Sequence, residues 1–229
     1  IANRTISSTD GQIYQLWDNA YDLIFNANNI LDSIAYTDLT ALEMNNIMAE
    51  ARAMRAFGYY TLVSKFGAVP IYPGTTYSQI PRSSVTSVTD SIIADLIFAS
   101  ASLPLMNYSG DEKIKFSKSA VTALLSKVYF LSENWENAYN KVQEIMNSGN
   151  YEIEVNASNK YTTIDSPENI QAYDSIKNIT FWFTYDKGSV IPVSHYTEQL
   201  LIAMECEVRM GNLNLAGDLY HMLTRTENN

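Results

Sequence analysis

One segment restricts the fold more than any other: Leu39 to Phe66, followed closely by Gly67 and Pro70. Apolar residues recur along it at the helical period on two faces. Ala49, Ala53, Ala56, Tyr60 and Val63 make one face; Ile47, Ala51, Met54, Gly58 and Leu62 make the other. A helix with two apolar faces has to be covered from both sides. Its alanines and glycine let neighbouring backbones come close, and Tyr59, Tyr60 and Phe66 fill the wider gaps. Gly67 supplies a left-handed position that ends the helix, and Pro70 keeps it from resuming. The chain is built around a central helix with a firm stop.

The same period recurs elsewhere. A first helix runs from about Gly11 to Ala35, with Trp17, Tyr21, Ile24, Asn28 and Leu31 in one stripe. After the loop "AVPIYPGTTYSQIPR", a third begins at a Ser83/Ser84 cap and carries Val88, Ile92, Asp95, Leu96 and Ala99 before Pro104. Ser117 caps a fourth, with Ala120, Leu124, Val128 and Leu131; a fifth bears Trp135, Ala138, Val142 and Ile145, and Gly149 ends it. The short link around Glu133 and Asn134 makes this pair an antiparallel hairpin. From Tyr151 to Ser194 the pattern changes: "NITFWFTYD" reads as a short strand, and "VNASNKYTTIDSPEN" and "DKGSVIPVSH" as ordered loop. Helical period returns from about His195 to Met210 and from Leu215 to Thr224. This closing pair echoes the earlier hairpin, Asn134 falling on Asn212 and Ala138 on Ala216. Helix, Asn-containing turn, helix with an early Ala is the layout of a tetratricopeptide-type unit. The expected fold is mainly α: a solenoid of tetratricopeptide-like hairpins with a small irregular or β insertion. It is read as a single domain over 1–229, with a helical scaffold (1–150), a loop and strand region (151–194) and a closing pair (195–229).

Composition narrows the function. With 46% hydrophobic content, 229 residues can bury a sizeable core. The net charge of -10, with no basic run to offset it, disfavours nucleic acid as a partner. Only 17% of residues are charged, so Asn, Ser, Thr and 16 Tyr must supply the polar surface. That surface suits neutral, hydroxylated ligands and an extracytoplasmic place. Cys206 is the only cysteine, which rules out an intrachain disulfide and a cysteine-based metal cluster; it reads as a small buried residue. No apolar run suits a membrane span. "IANRTISSTD" does not read as a signal peptide, leaving a cytosolic protein or a trimmed targeting segment as alternatives.

The central segment, "AEARAMRAFGYYTLVSKFGAVPIYP", resembles the hallmark of the SusD/RagB family of Bacteroidota surface lipoproteins. The matching positions are Ala49, Glu50, Ala51, Arg52, Arg55, Ala56, Tyr59, Tyr60, Phe66, Gly67, Val69 and Pro70. "WDNAYDLIFNANNILDSI", "PRSSVTSVTDSIIADLIFASASLP", the hairpin from Ser117, "NITFWFTYD" and the closing pair are similar to further family segments in the family's order. The resemblance implies a tetratricopeptide-type solenoid beside a sugar- or peptide-capturing surface. It also implies a lipid anchor to the outer leaflet of the outer membrane, and a SusC-type TonB-dependent transporter beneath. Family members are considerably longer; here only about Tyr151 to Ser194 fills the ligand-facing region.

Glu50, Arg52 and Arg55 lie on a helix made for burial. A desolvated arginine needs partners, and Glu50 and helix-terminal carbonyls are the expected ones. Together with Gly67 and Pro70 these residues form a structural motif, with no part in ligand choice. Sugars are gripped by aromatic faces, and the loop or strand aromatics Tyr72, Tyr77, Trp182 and Tyr185 are the candidate ligand contacts; Tyr14 and Trp17 open the first helix. For each of these, core packing is the competing role. Asn107, Ser109 and Asp111 beside Gly110 resemble part of a calcium loop, but a complete one needs more carboxylates, and a solvated turn is the reading. His195 and His221 have no metal spacing and read as surface or capping residues, and Glu198 and Glu205 as a solvated stripe. No catalytic, P-loop or dinucleotide motif is present, so no cofactor, metal or catalytic residue is expected. The expected function is capture of an oligosaccharide or peptide for delivery to the transporter. The alternative is a tetratricopeptide-type adaptor for protein segments. An enzyme such as a glycosidase would require a close carboxylate pair.

Overall fold

The computed structural model of the chain describes residues 11–75, 79–104, 115–153, 169–174 and 190–224. The described helices are α1 (Gly11–Ser33), α2 (Ala41–Phe66), α3 (Val85–Ser102), α4 (Lys118–Leu131), α5 (Trp135–Asn147), α6 (Tyr196–Met210) and α7 (Leu213–Thr224). A 3-10 turn, Ile34–Tyr36, follows α1, and strands β1 (Asn169–Asp174) and β2 (Val190–His195) precede α6. Each helix packs on the next in sequence. This serial stacking is the solenoid arrangement expected from the repeats.

Local chemistry fixes the helix ends. Ser84, Ser117, Asn134 and His195 each accept a backbone N–H at a helix start. Thr40 does the same for α2 in a reciprocal capping box with Glu43. Gly67 has φ 69 as expected, but its ψ of -129 lies outside the left-handed helical well, in a region open to glycine.

Both faces of α2 are buried, through Ala49, Ala53 and Ala56 and through Ala51, Gly58 and Leu62. At Gly58 the packing with α1 is closest: a Cβ there would lie 2.8 Å from Ile24 Cγ1 and 3.2 Å from the Ala20 carbonyl oxygen. By length and apolar content α3 could cross a membrane. Its inner face, Val88, Ile92, Asp95, Leu96 and Ala99, instead belongs to the bundle's interior.

The repeat is reproduced at the level of single hydrogen bonds. At the end of α4, Glu133 (φ 58) donates to the Phe130 carbonyl and Asn134 to that of Tyr129. At the end of α6, Gly211 (φ 85) donates to Val208 and Asn212 to Glu207, with the same spacing. Both are Schellman turns. The paired Ala138 and Ala216 are both buried, as close helix crossings require.

Two cores result. Helices α1 to α4 with Val69 enclose the first; α5, α6, α7, Ile170 and Tyr151 with Ala123 of α4 enclose the second. Across α4 and α6, the Ser126 hydroxyl donates to Gln199 Oε1 at 2.5 Å, and Gln199 Nε2 donates to Ser194 and to the Ala123 carbonyl. Lys127 pairs with Glu198 at 2.6 Å.

The insertion differs from the sequence reading. Residues Val190–His195, expected as loop, form a strand paired antiparallel with Asn169–Asp174, Asp174 opposite Val190 and Ala172 opposite Pro192. Its Val and Ile favour extended backbone, and Pro192 is tolerated because each strand of a two-stranded ribbon has an open edge. The expected strand "NITFWFTYD" lies outside the described residues.

Candidate functional site

The segment after α2 leaves the helix at Gly67 and is at once pinned to the bundle. Val69 is fully buried, and its carbonyl accepts the Ser83 N–H at 3.0 Å. Arg82 donates to the Ala68 carbonyl at 3.2 Å. From Pro70 onward, side chains of α1 and α2 hold the loop by its backbone. Tyr21 donates to the Pro70 carbonyl at 2.9 Å. The Tyr59 hydroxyl accepts the Tyr72 N–H at 2.8 Å and faces the Tyr72 carbonyl at 3.5 Å. Asn28 Nδ2 donates to the carbonyls of Tyr72 (3.3 Å) and Gly74 (3.0 Å).

Asn28 is 1% exposed, and its orientation is itself fixed. Arg55 Nη1 donates to Asn28 Oδ1 at 2.8 Å. The same guanidinium makes a two-point contact with Asp95 of α3, Nε and Nη2 each 2.8 Å from a carboxylate oxygen. Burial works against the Arg55 charge, and the bonds and field of Asp95 more than offset it, so its pKa is raised. Burial also pushes the Tyr59 hydroxyl up to about 12, which keeps it neutral and able to donate. A chain of contacts therefore runs from α3 through α2 and α1 to the loop backbone.

This corrects the expected arginine partners. Asp95 and Asn28, from other helices, take Arg55. Arg52 lies over the Phe98 ring at 4.0 Å, with Nη1 3.9 Å from Asp95. Glu50 is instead close to Lys115 and accepts from the Phe116 N–H; burial, the largest influence, raises its pKa. The missed residues carried a signal: Asn28 and Asp95 are polar positions inside otherwise apolar stripes.

Of the candidate ligand contacts, Tyr72 sits on the pinned loop, half-buried, with its ring edge-on to Tyr21 at 5.5 Å. Trp17 extends this row, 5.1 Å from both Tyr21 and Phe66, with Arg82 6.0 Å over its ring. Tyr14 is 66% exposed on the first turns of α1. Tyr77, Trp182 and Tyr185 lie outside the described residues, as do Asn107, Ser109 and Asp111. Gly67 and Pro70 shape and anchor the loop start. His195 caps α6, and Glu198 and Glu205 lie on a partly solvated face as expected, each ion-paired there, with Lys127 and Arg209. Cys206 is buried, and burial first of all pushes its thiol up to about 11, away from thiolate chemistry. Among the described residues no cluster of His, Cys, Asp and Glu could hold a metal ion. The arrangement presents neutral rings on a rigid backbone.

Comparison with known proteins agrees with this architecture. The SusD-like family pattern described as starch-binding, associating with outer membrane, matches residues 1–130. A SusD-like protein of Formosa agariphila is 28% identical over 174 residues, 71% of this chain and 32% of that one. The chain spans about a third of the length of the curated relatives it matches (30–32%). Among solved structures, a SusD superfamily protein from Bacteroides fragilis superposes with a TM-score of 0.80 at 18% identity, covering 96% of this chain and 66% of that one. A laminarin-binding SusD-like protein does so with a TM-score of 0.65 at 24% identity, over 72% and 42%. Family pattern, relatives and fold point the same way: the chain belongs to the SusD-like family.

Proposed function

We propose that this chain is the helical part of a cell-surface glycan-binding protein that captures an oligosaccharide and passes it to a SusC-type TonB-dependent transporter. Family membership supports the carbohydrate class, since the family is described by starch binding at the outer membrane. The observation that carries the reading is the loop after α2. Three side chains from two helices hold its backbone from Pro70 to Gly74 and leave the Tyr72 ring half-buried. A rigid aromatic platform recognises a sugar's C–H face with little ordering cost. Tyr72, Tyr77, Trp182 and Tyr185 are the proposed stacking residues, and a lipid anchor outside this chain would hold the protein at the outer membrane.

Calorimetric titration against a panel of plant and host polysaccharides, laminarin and starch fragments included, tests this. One or more should bind, and Trp182→Ala or Tyr77→Ala should weaken binding by about tenfold, roughly 1.4 kcal/mol. Normal binding by both variants would reject the site assignment. Binding of helical peptides with no response to any polysaccharide would favour the adaptor reading.

A further inference from the structure

Asn28 and Asp32 stand one turn apart on α1 and so share a face of the helix. Asn28 holds the Gly74 carbonyl at 3.0 Å, which brings the loop against the next turn of α1. A Cβ on Gly74 would lie 3.5 Å from Asp32 Oδ2. Gly74 does not have a positive φ, so the backbone there does not call for glycine. Its missing side chain instead leaves the space beside the carboxylate open. Asp32 is exposed, and among the described residues it makes no hydrogen bond or ion pair. Arg55, the cation on which its charge acts, spends its donors on Asp95 and Asn28. Asp32 also lies in the last turn of α1, where the helix dipole opposes a negative charge and where no basic residue stands. Helix stability does not account for this carboxylate, which sits unspent at the edge of the pinned loop, two residues along from Tyr72.

We propose that Asp32 grips hydroxyls at the loop's aromatic platform and restricts it to uncharged sugars. The inference rests on the glycan reading above and adds to it a residue and a substrate class. A free carboxylate accepts one hydroxyl hydrogen on each oxygen, and bonds to an ionised acceptor are the strong ones. That suits neighbouring hydroxyls of a pyranose whose C–H face lies on the loop's rings. The same charge repels a uronate or a sulfate ester. Asp18 and Asp22 are also exposed on α1, and the chain as a whole carries a charge of -10. Neither arginine beside this loop offsets that field for a ligand: Arg55 is engaged as above, and Arg82 is turned to the Ala68 carbonyl at the loop's other end, over Trp17.

The test titrates the 229-residue chain with laminarin and starch fragments and with carboxymethylated forms of both. The parent should bind a neutral glucan more tightly than its carboxymethylated form. Asp32→Ala should weaken neutral binding by about tenfold. Its melting temperature should be unchanged or higher, since the helix loses a charge that its dipole opposes. Asp32→Asn, which keeps the shape, should bring the two affinities about fivefold closer at low salt. Gly74→Leu should weaken binding with Asp32 intact, by filling the space beside it. Neutral binding by Asp32→Ala at the parent's affinity, while Tyr77→Ala or Trp182→Ala weakens it, overturns this inference and leaves the glycan reading standing. A marked fall in the Asp32→Ala melting temperature overturns it as well, by making the residue structural. So does tighter binding of the carboxymethylated form by the parent, or no binding of either glucan. Failure of every polysaccharide in the panel rejects the glycan reading too.

Discussion

Asp95→Asn is the sharpest probe of the network that holds the loop after α2. The substitution keeps the side chain's shape and removes its charge. Two hydrogen bonds of 2.8 Å from Arg55 then lose an ionic acceptor. Arg55, whose side chain is 20% exposed, is left without its main counter-charge. Breaking a buried pair from one side costs about 3–5 kcal/mol. Asn28 still accepts from Nη1, and part of the guanidinium reaches water, so the low end, about 3 kcal/mol, is expected. Arg55→Met should cost less, about 2 kcal/mol, because Arg52 Nη1 already stands 3.9 Å from Asp95 and supplies part of the lost field. In the double variant Arg55→Met/Asp95→Asn neither charge is stranded, and its destabilisation should fall short of the summed single effects by about 2 kcal/mol. Urea unfolding followed by circular dichroism measures all three, and against a total stability of about 5–15 kcal/mol the shifts are large. An Asp95→Asn cost below about 1 kcal/mol, or strict additivity in the double variant, would refute the view that Asp95 is the anchor.

Further outcomes follow from geometry already described. Glu133 holds a positive φ that Gly211 holds in the equivalent turn, so Glu133→Gly should stabilise and Gly211→Ala destabilise, each by about 1 kcal/mol in thermal melts. Equal and opposite signs are the check. Gly58→Ala should cost about 1–2 kcal/mol net, overpacking against Ile24 exceeding the gain of about 1 kcal/mol in helix propensity; a rise in melting temperature would refute it. Burial raises the Glu50 pKa above the ordinary 4.5, so the folded state holds that proton more firmly than the unfolded one, and stability is lost as pH rises through this range. Glu50→Gln should therefore be more stable than the parent at neutral pH, with the difference vanishing below 4.5, as pH-dependent denaturation would register.

Helix positions and turns were legible because their causes are local. Gly67 with Pro70, Ser84, Ser117 and the Asn134–Asn212 match all act within a few residues of themselves, and the structure places each where the sequence did. The partners of Arg55 were not legible, since Asn28 lies 27 and Asp95 40 residues away. Pairing across three helices depends on their relative rotation, which periodicity does not encode. Yet both residues interrupt apolar stripes, and a polar group on a buried face has to be satisfied by something. Val190–His195 reads as loop in the sequence, and only its pairing with Asn169–Asp174 shows that an edge position accommodates Pro192. Tyr72 was placed on its loop by sequence, but the three side chains that grip its backbone were visible only as members of helical stripes.

The position of α4 between both cores bears on how the molecule comes apart. Heat or force applied to the closing hairpin must first peel α6 from Ala123, Ser126 and Lys127, baring one wall of α4 while the opposite wall stays sealed against α2 and α3. Fraying from that end should meet its highest resistance at α4, the party wall of the two compartments. Damage to the outer repeats is thereby kept from reaching the loop that α1 and α2 hold in place.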